Sequence, residues 1–85
     1  RMQHGIYYLV KTKLAQDLLS GTNEETAKKG ATEVALARAA LPRGARPKAD
    51  ALDDWAEDVK KKPEKVSQLR LVSKLLSPAY VAKLE

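Results

Sequence analysis

The 85-residue chain reads as all-α, a compact bundle of four main helices closed by a short fifth at the C-terminus. Three observations predict it. Apolar residues recur at helical spacing in four separate stretches, and clear start and stop signals divide those stretches. Only residues 6–10 have the β-branched and aromatic character of a strand, and no other segment offers them a strand partner.

The first helix is expected over about residues 5–20, where Ser20-Gly21 stops it. Ile6, Val10, Leu14 and Leu18 recur every four residues, with Tyr7 and Leu19 beside them, and mark its inward face. The second opens on Thr22-Asn23-Glu24-Glu25, which fits a capping box. The Thr22 hydroxyl accepts from the backbone N–H of Glu25, and Glu25 reaches back to Thr22. This helix should run through Ala27, Ala31, Val34, Ala35 and Leu41 to Pro42. Gly30 inside it costs about 1 kcal/mol relative to alanine, so Gly30 and the alanines mark a close helix crossing.

Residues 42–48, with two prolines and a glycine, read as an exposed loop. Asp50 is the expected N-cap of a third helix, Ala51–Lys61, with Leu52, Trp55, Ala56 and Val59 facing inward. Asp53, Asp54, Glu57 and Asp58 come early and Lys60, Lys61 and Lys62 late, an order that suits the helix dipole. Asp53, Asp54, Glu57 and Asp58 therefore read as the solvated back of an amphipathic helix, and together with Asp50 they are not read as a magnesium site.

Pro63 suits the first turn of a fourth helix reaching about Leu76, with Val66, Leu69, Val72 and Leu76 on one face and Leu71 and Leu75 on a second. Ser77-Pro78 then opens the short last helix, which carries Tyr80, Val81 and Leu84. The expected core is Ile6, Val10, Leu14, Leu18, Val34, Leu41, Leu52, Trp55, Val59, Val66, Leu69, Val72 and Leu76.

Composition narrows the function. Hydrophobic residues are 44% and charged residues 32%, which is globular, and the length suits one domain over residues 1–85. Arg1 ahead of Met2 and the closing Leu84-Glu85 have the look of cloning remnants, and a fragment of a longer protein fits as well. Without cysteine there is no disulfide scaffold, thiolate metal site or cysteine nucleophile. The longest apolar run, Ile6-Tyr7-Tyr8-Leu9-Val10, is far short of the roughly 20 residues that span a bilayer. A cytoplasmic protein with no membrane partner is the expectation.

Catalysis has little to draw on. His4, the single histidine, lies near the chain end, and there is no P-loop, dinucleotide-binding glycine pattern or HExxH. No enzyme, metal or cofactor is expected. Binding has more. Sixteen Lys and Arg against eleven Asp and Glu give +5, with a pI near 9.6, the footprint of a nucleic-acid partner or simply of a soluble small domain. Arg43, Arg46 and Lys48 stand in the loop near Arg38, and Lys60, Lys61, Lys62 and Lys65 form a second run. If the two share a face they make a phosphate-binding surface, and DNA is the leading partner. A helix-turn-helix is disfavoured, because the loop is long and the third helix opens with acids that would face phosphates. The alternative partner is a protein or a second copy of the chain, met by Leu71, Leu75 and Tyr8.

Overall fold

The computed structural model describes residues 2–21 and 23–84, with side chains from His4 onward. Its α-helices are α1 (Met2–Leu19), α2 (Glu24–Ala39), α3 (Ala51–Lys61), α4 (Leu69–Leu75) and α5 (Pro78–Leu84). Short 3-10 segments at Arg43–Ala45 and Pro63–Gln68 join them, and no strand occurs among the described residues. The all-α bundle is the architecture the sequence predicts. It departs from expectation in two places: the expected loop holds a 3-10 turn at Arg43–Ala45, and the stretch from Pro63 begins as 3-10 and becomes α only at Leu69.

Local chemistry sets the boundaries. Gly21, at φ +78°, makes the turn after α1 in a conformation that glycine adopts without strain. The cap of α2 is Asn23, whose side chain accepts from the Thr26 backbone N–H at 2.8 Å, one residue beyond the expected cap. Thr22 itself lies outside the described residues. Asp50 caps α3 as expected, accepting from the N–H groups of Leu52 and Asp53. Ser77 caps α5, its hydroxyl accepting from the Tyr80 N–H at 3.1 Å.

α1 and α2 pack together, α3 lies on α2, and α4 and α5 close against α1. The crossing of α1 and α2 is tight: a Cβ on Gly30 would stand 2.7 Å from Leu14 Cδ1. Leu14, Leu18, Val34, Leu41, Leu52, Trp55, Val59, Val66, Val72 and Leu76 are buried as expected, while Val10 and Leu69 are half-buried. Ile6 is not in the core. It is 54% exposed, and its neighbour Tyr7 is wholly buried. A row of residues spaced by four drifts about 40° around the helix at each step, so one that ends inward at Leu18 begins outward at Ile6. The inward stripe of α1 is instead Tyr7, Lys11, Leu14, Ala15 and Leu18.

Candidate functional site

That stripe places a lysine inside the bundle, where a charge needs a partner. Lys11 Nζ is 2.8 Å from Asp53 Oδ2 and 2.9 Å from Asp50 Oδ2. Asp53 also accepts from the Tyr7 hydroxyl at 2.6 Å and from the Asp50 backbone N–H at 3.1 Å. Arg38 donates to the Tyr7 hydroxyl at 3.0 Å and to the Pro47 carbonyl, and the Tyr80 hydroxyl donates to Asp50. Asp53, read from sequence as part of a solvated face, is 2% exposed. The order of early acids and late lysines, which suits the helix dipole, hid its inward position.

This network joins α1, α2, α3 and α5. Burial would lower the Lys11 pKa, but hydrogen bonds to Asp53 and Asp50 outweigh it and raise Lys11 above its ordinary 10.5. Burial would likewise raise Asp50, yet hydrogen bonds from Tyr80 and Lys11 hold it below its ordinary 3.8. Burial and the hydrogen bond to Asp50 push the Tyr80 phenol up. A lysine locked in its charged form is no general base at neutral pH. The cluster is a structural clasp.

The basic loop is partly spoken for as well. Arg38 belongs to the clasp, and Arg46 folds back to donate to the carbonyls of Leu41 and Ala39, each at 3.0 Å. Those carbonyls lie at the open C-terminal end of α2, so Arg46 caps a helix. A ring nitrogen of His4 donates to the Ala45 carbonyl at 3.0 Å, pinning the loop to α1. Arg43 and Lys48 are exposed. Lys60, Lys61 and Lys62 are exposed and Lys65 half-buried at the far end of α3. Nine residues of helix, Ala51 to Val59, about 13 Å at 1.5 Å each, separate that run from the loop at the α3 N-terminus.

Charge location sharpens the picture. Up to Val59 nine cations meet nine carboxylates, so the whole excess of +5 resides from Lys60 onward. In that stretch α4 shows solvent two stripes, Arg70 with Lys74 and Leu71 with Leu75. Leu71 is 60% and Leu75 65% exposed, whereas Val72 on the same helix is buried. Tyr8, the third expected interface residue, is half-buried, with its ring centroid 5.0 Å from that of Tyr7.

Among the described residues no group of three or more His, Cys, Asp and Glu is arranged to hold a metal, and no helix is long and apolar enough to cross a membrane. Comparison with protein-family models, curated proteins and solved structures finds no significant match.

Proposed function

We propose that this chain is a non-enzymatic binding module and that α4 meets a protein partner. The observation that carries the reading is the exposure of Leu71 and Leu75 on a helix whose opposite side is already in the core. Fully burying a leucine is worth about 1.5–3 kcal/mol, so a partner that covers the pair gains from doing so. Two residues of the expected phosphate-binding set, half-buried Arg38 and exposed Arg46, already hydrogen-bond to groups of the fold, which weakens the rival. A cytoplasmic setting goes with the reading, since a chain without cysteine needs no oxidising compartment to fold.

Nucleic acid is the second reading, favoured by the placement of the entire +5 from Lys60 onward. On that reading Lys60, Lys61, Lys62 and Lys65 are the central contacts, with Arg43 and Lys48 at the other end of α3. A salt titration of binding to random duplex and single-stranded DNA separates the two, with the solution mass measured alongside. Duplex binding gives a slope of log affinity on log salt of about −0.9 per phosphate contact. A steep slope, made shallower by Lys60→Ala/Lys61→Ala and untouched by Leu71→Lys/Leu75→Lys, would overturn the protein reading. DNA binding absent at low salt supports it.

A further inference from the structure

Resting on the protein-binding reading, we infer that the outer face of α4 docks an acidic amphipathic helix. The argument begins with angles. Successive residues are 100° apart around a helix, so Arg70 and Lys74 form one stripe and Leu71 and Leu75 another, about 100° further round. Buried Val72 lies beyond the leucines. Passing around α4, the order is therefore basic, leucine, core. A helix laid along this face covers the leucines with its own apolar residues at i, i+4 and brings one flank against Arg70 and Lys74. Carboxylates on that flank complete the match.

Charge selects this occupant over the alternatives. A second copy would bring the same basic segment, which holds all of the +5, against itself. Nucleic acid would neutralise Arg70 and Lys74 but leave two largely exposed leucines without an apolar partner. The remaining exposed apolar residues are less selective. Ile6, Leu9, Leu19 and Leu36 lie on α1 and α2, whose shared groove is lined by charges of both signs, Lys13 and Lys29 with Asp17 and Glu33.

The test uses two synthetic helical peptides with the same leucine pattern, one with glutamate and one with lysine at the polar positions. Binding is read by fluorescence anisotropy at two salt concentrations. The unaltered chain is expected to bind the glutamate peptide at least tenfold more tightly than the lysine peptide, with the preference shrinking at high salt. Leu71→Ser/Leu75→Ser should weaken binding at least tenfold. Arg70→Glu/Lys74→Glu should reverse the preference in favour of the lysine peptide. All four positions are exposed, and the emission of buried Trp55 reports that each variant is folded. Equal binding of both peptides, or binding of neither, overturns the inference. If the chain instead pairs with itself through Leu71 and Leu75, the protein reading stands and the acidic helix falls. If only duplex DNA or anionic vesicles bind, and the leucine substitutions leave that unchanged, both fall.

Discussion

Lys11 and Asp53, forty-two positions apart in the chain, meet at 2.8 Å inside the bundle, and each side chain is no more than 4% exposed. The pair sets how α1 and α3 align. A buried ion pair adds little net stability over a well-packed apolar pair, since desolvating both charges offsets most of their attraction. What it adds is a penalty for any arrangement that separates them. The Tyr7 hydroxyl donates to Asp53 Oδ1 and the Asp50 N–H joins Lys11 on Oδ2, so both carboxylate oxygens have partners.

Breaking the pair from one side should therefore be severe. Asp53→Ala leaves Lys11 facing Asp50 alone and removes the acceptor of the Tyr7 hydroxyl, with an expected loss of about 3–5 kcal/mol. Lys11→Met/Asp53→Leu removes both charges and should recover part of that loss. Urea denaturation followed by Trp55 emission measures both. A single variant within about 1 kcal/mol of the unaltered protein would show that the clasp is not needed for the fold.

The same groups set the pH range of stability. Asp50 titrates lower folded than unfolded, so its contribution is present above its ordinary 3.8 and is lost as pH falls through the folded value. Lys11 and Tyr80 titrate higher folded than unfolded. Their contributions are present below 10.5 and 10.0 and are lost as pH climbs through the folded values. Thermal midpoints should therefore fall below the acid limit and above the alkaline one. Tyr80→Phe should flatten the alkaline arm. An alkaline limb identical in that variant would remove Tyr80 from the clasp.

Much of this fold was legible because its signals are local. Asp50, the apolar set Leu52, Trp55, Ala56 and Val59, and Pro63 bracket α3 at the bounds it adopts. Leu71 and Leu75 were visible because they make α4 apolar on more sides than a small bundle can cover. The clasp was not legible, for a physical reason. Its residues follow helical spacing as faithfully as the leucines do, but a search for apolar periodicity rejects any stripe that contains a lysine. Tyr7, Lys11, Leu14 and Leu18 was the better inward row, and a lone Lys on such a row is the signal that a buried carboxylate answers it. Arg46 was missed differently: a loop arginine directly before a proline looks free until the helix carbonyls it turns back to are known.

Gly30 tests the helix crossing. Alanine there gains about 1 kcal/mol of helix propensity but sets its Cβ 2.7 Å from Leu14 Cδ1, so the leucine must rotate. The next contacts, at 3.5 and 3.7 Å, are ordinary. Gly30→Ala should come out within about 1 kcal/mol of neutral, whereas Gly30→Val overpacks the crossing and should cost about 1–3 kcal/mol. Equal tolerance of valine in a denaturation series would mean that α1 and α2 can move apart freely.

Periodicity places Leu52 and Leu69 alike in the core, but their burial separates them. Leu52 is wholly enclosed, so Leu52→Ala should cost about 2–5 kcal/mol. Leu69 is half-buried, and the same truncation should cost clearly less. Equal losses in urea denaturation would mean that the 3-10 to α junction at Leu69 matters more to the fold than its exposure suggests.

Arg43 and Arg46 occupy the same loop and looked equivalent in sequence, yet they should part in experiment. Arg43 is exposed with its side chain on no helix carbonyl, so Arg43→Ala should leave stability within about 0.5 kcal/mol. Arg46→Ala frees the carbonyls of Leu41 and Ala39 at the end of α2. Hydrogen bonds from a charged donor are worth about 1.5–3 kcal/mol when buried and less at a surface, so the expected loss is about 1 kcal/mol. Arg46→Lys should not restore it, because one ammonium on a flexible stem lacks the fork that reaches both carbonyls. The contrast also governs any salt-titration study of the loop. Arg43 and Lys48 can be replaced without disturbing α2, while a changed affinity in an Arg46 variant would mix binding with unfolding. Matching stabilities for the Arg43 and Arg46 alanine variants would show that the α2 end needs no cap, and would return Arg46 to the set of residues free to meet a partner.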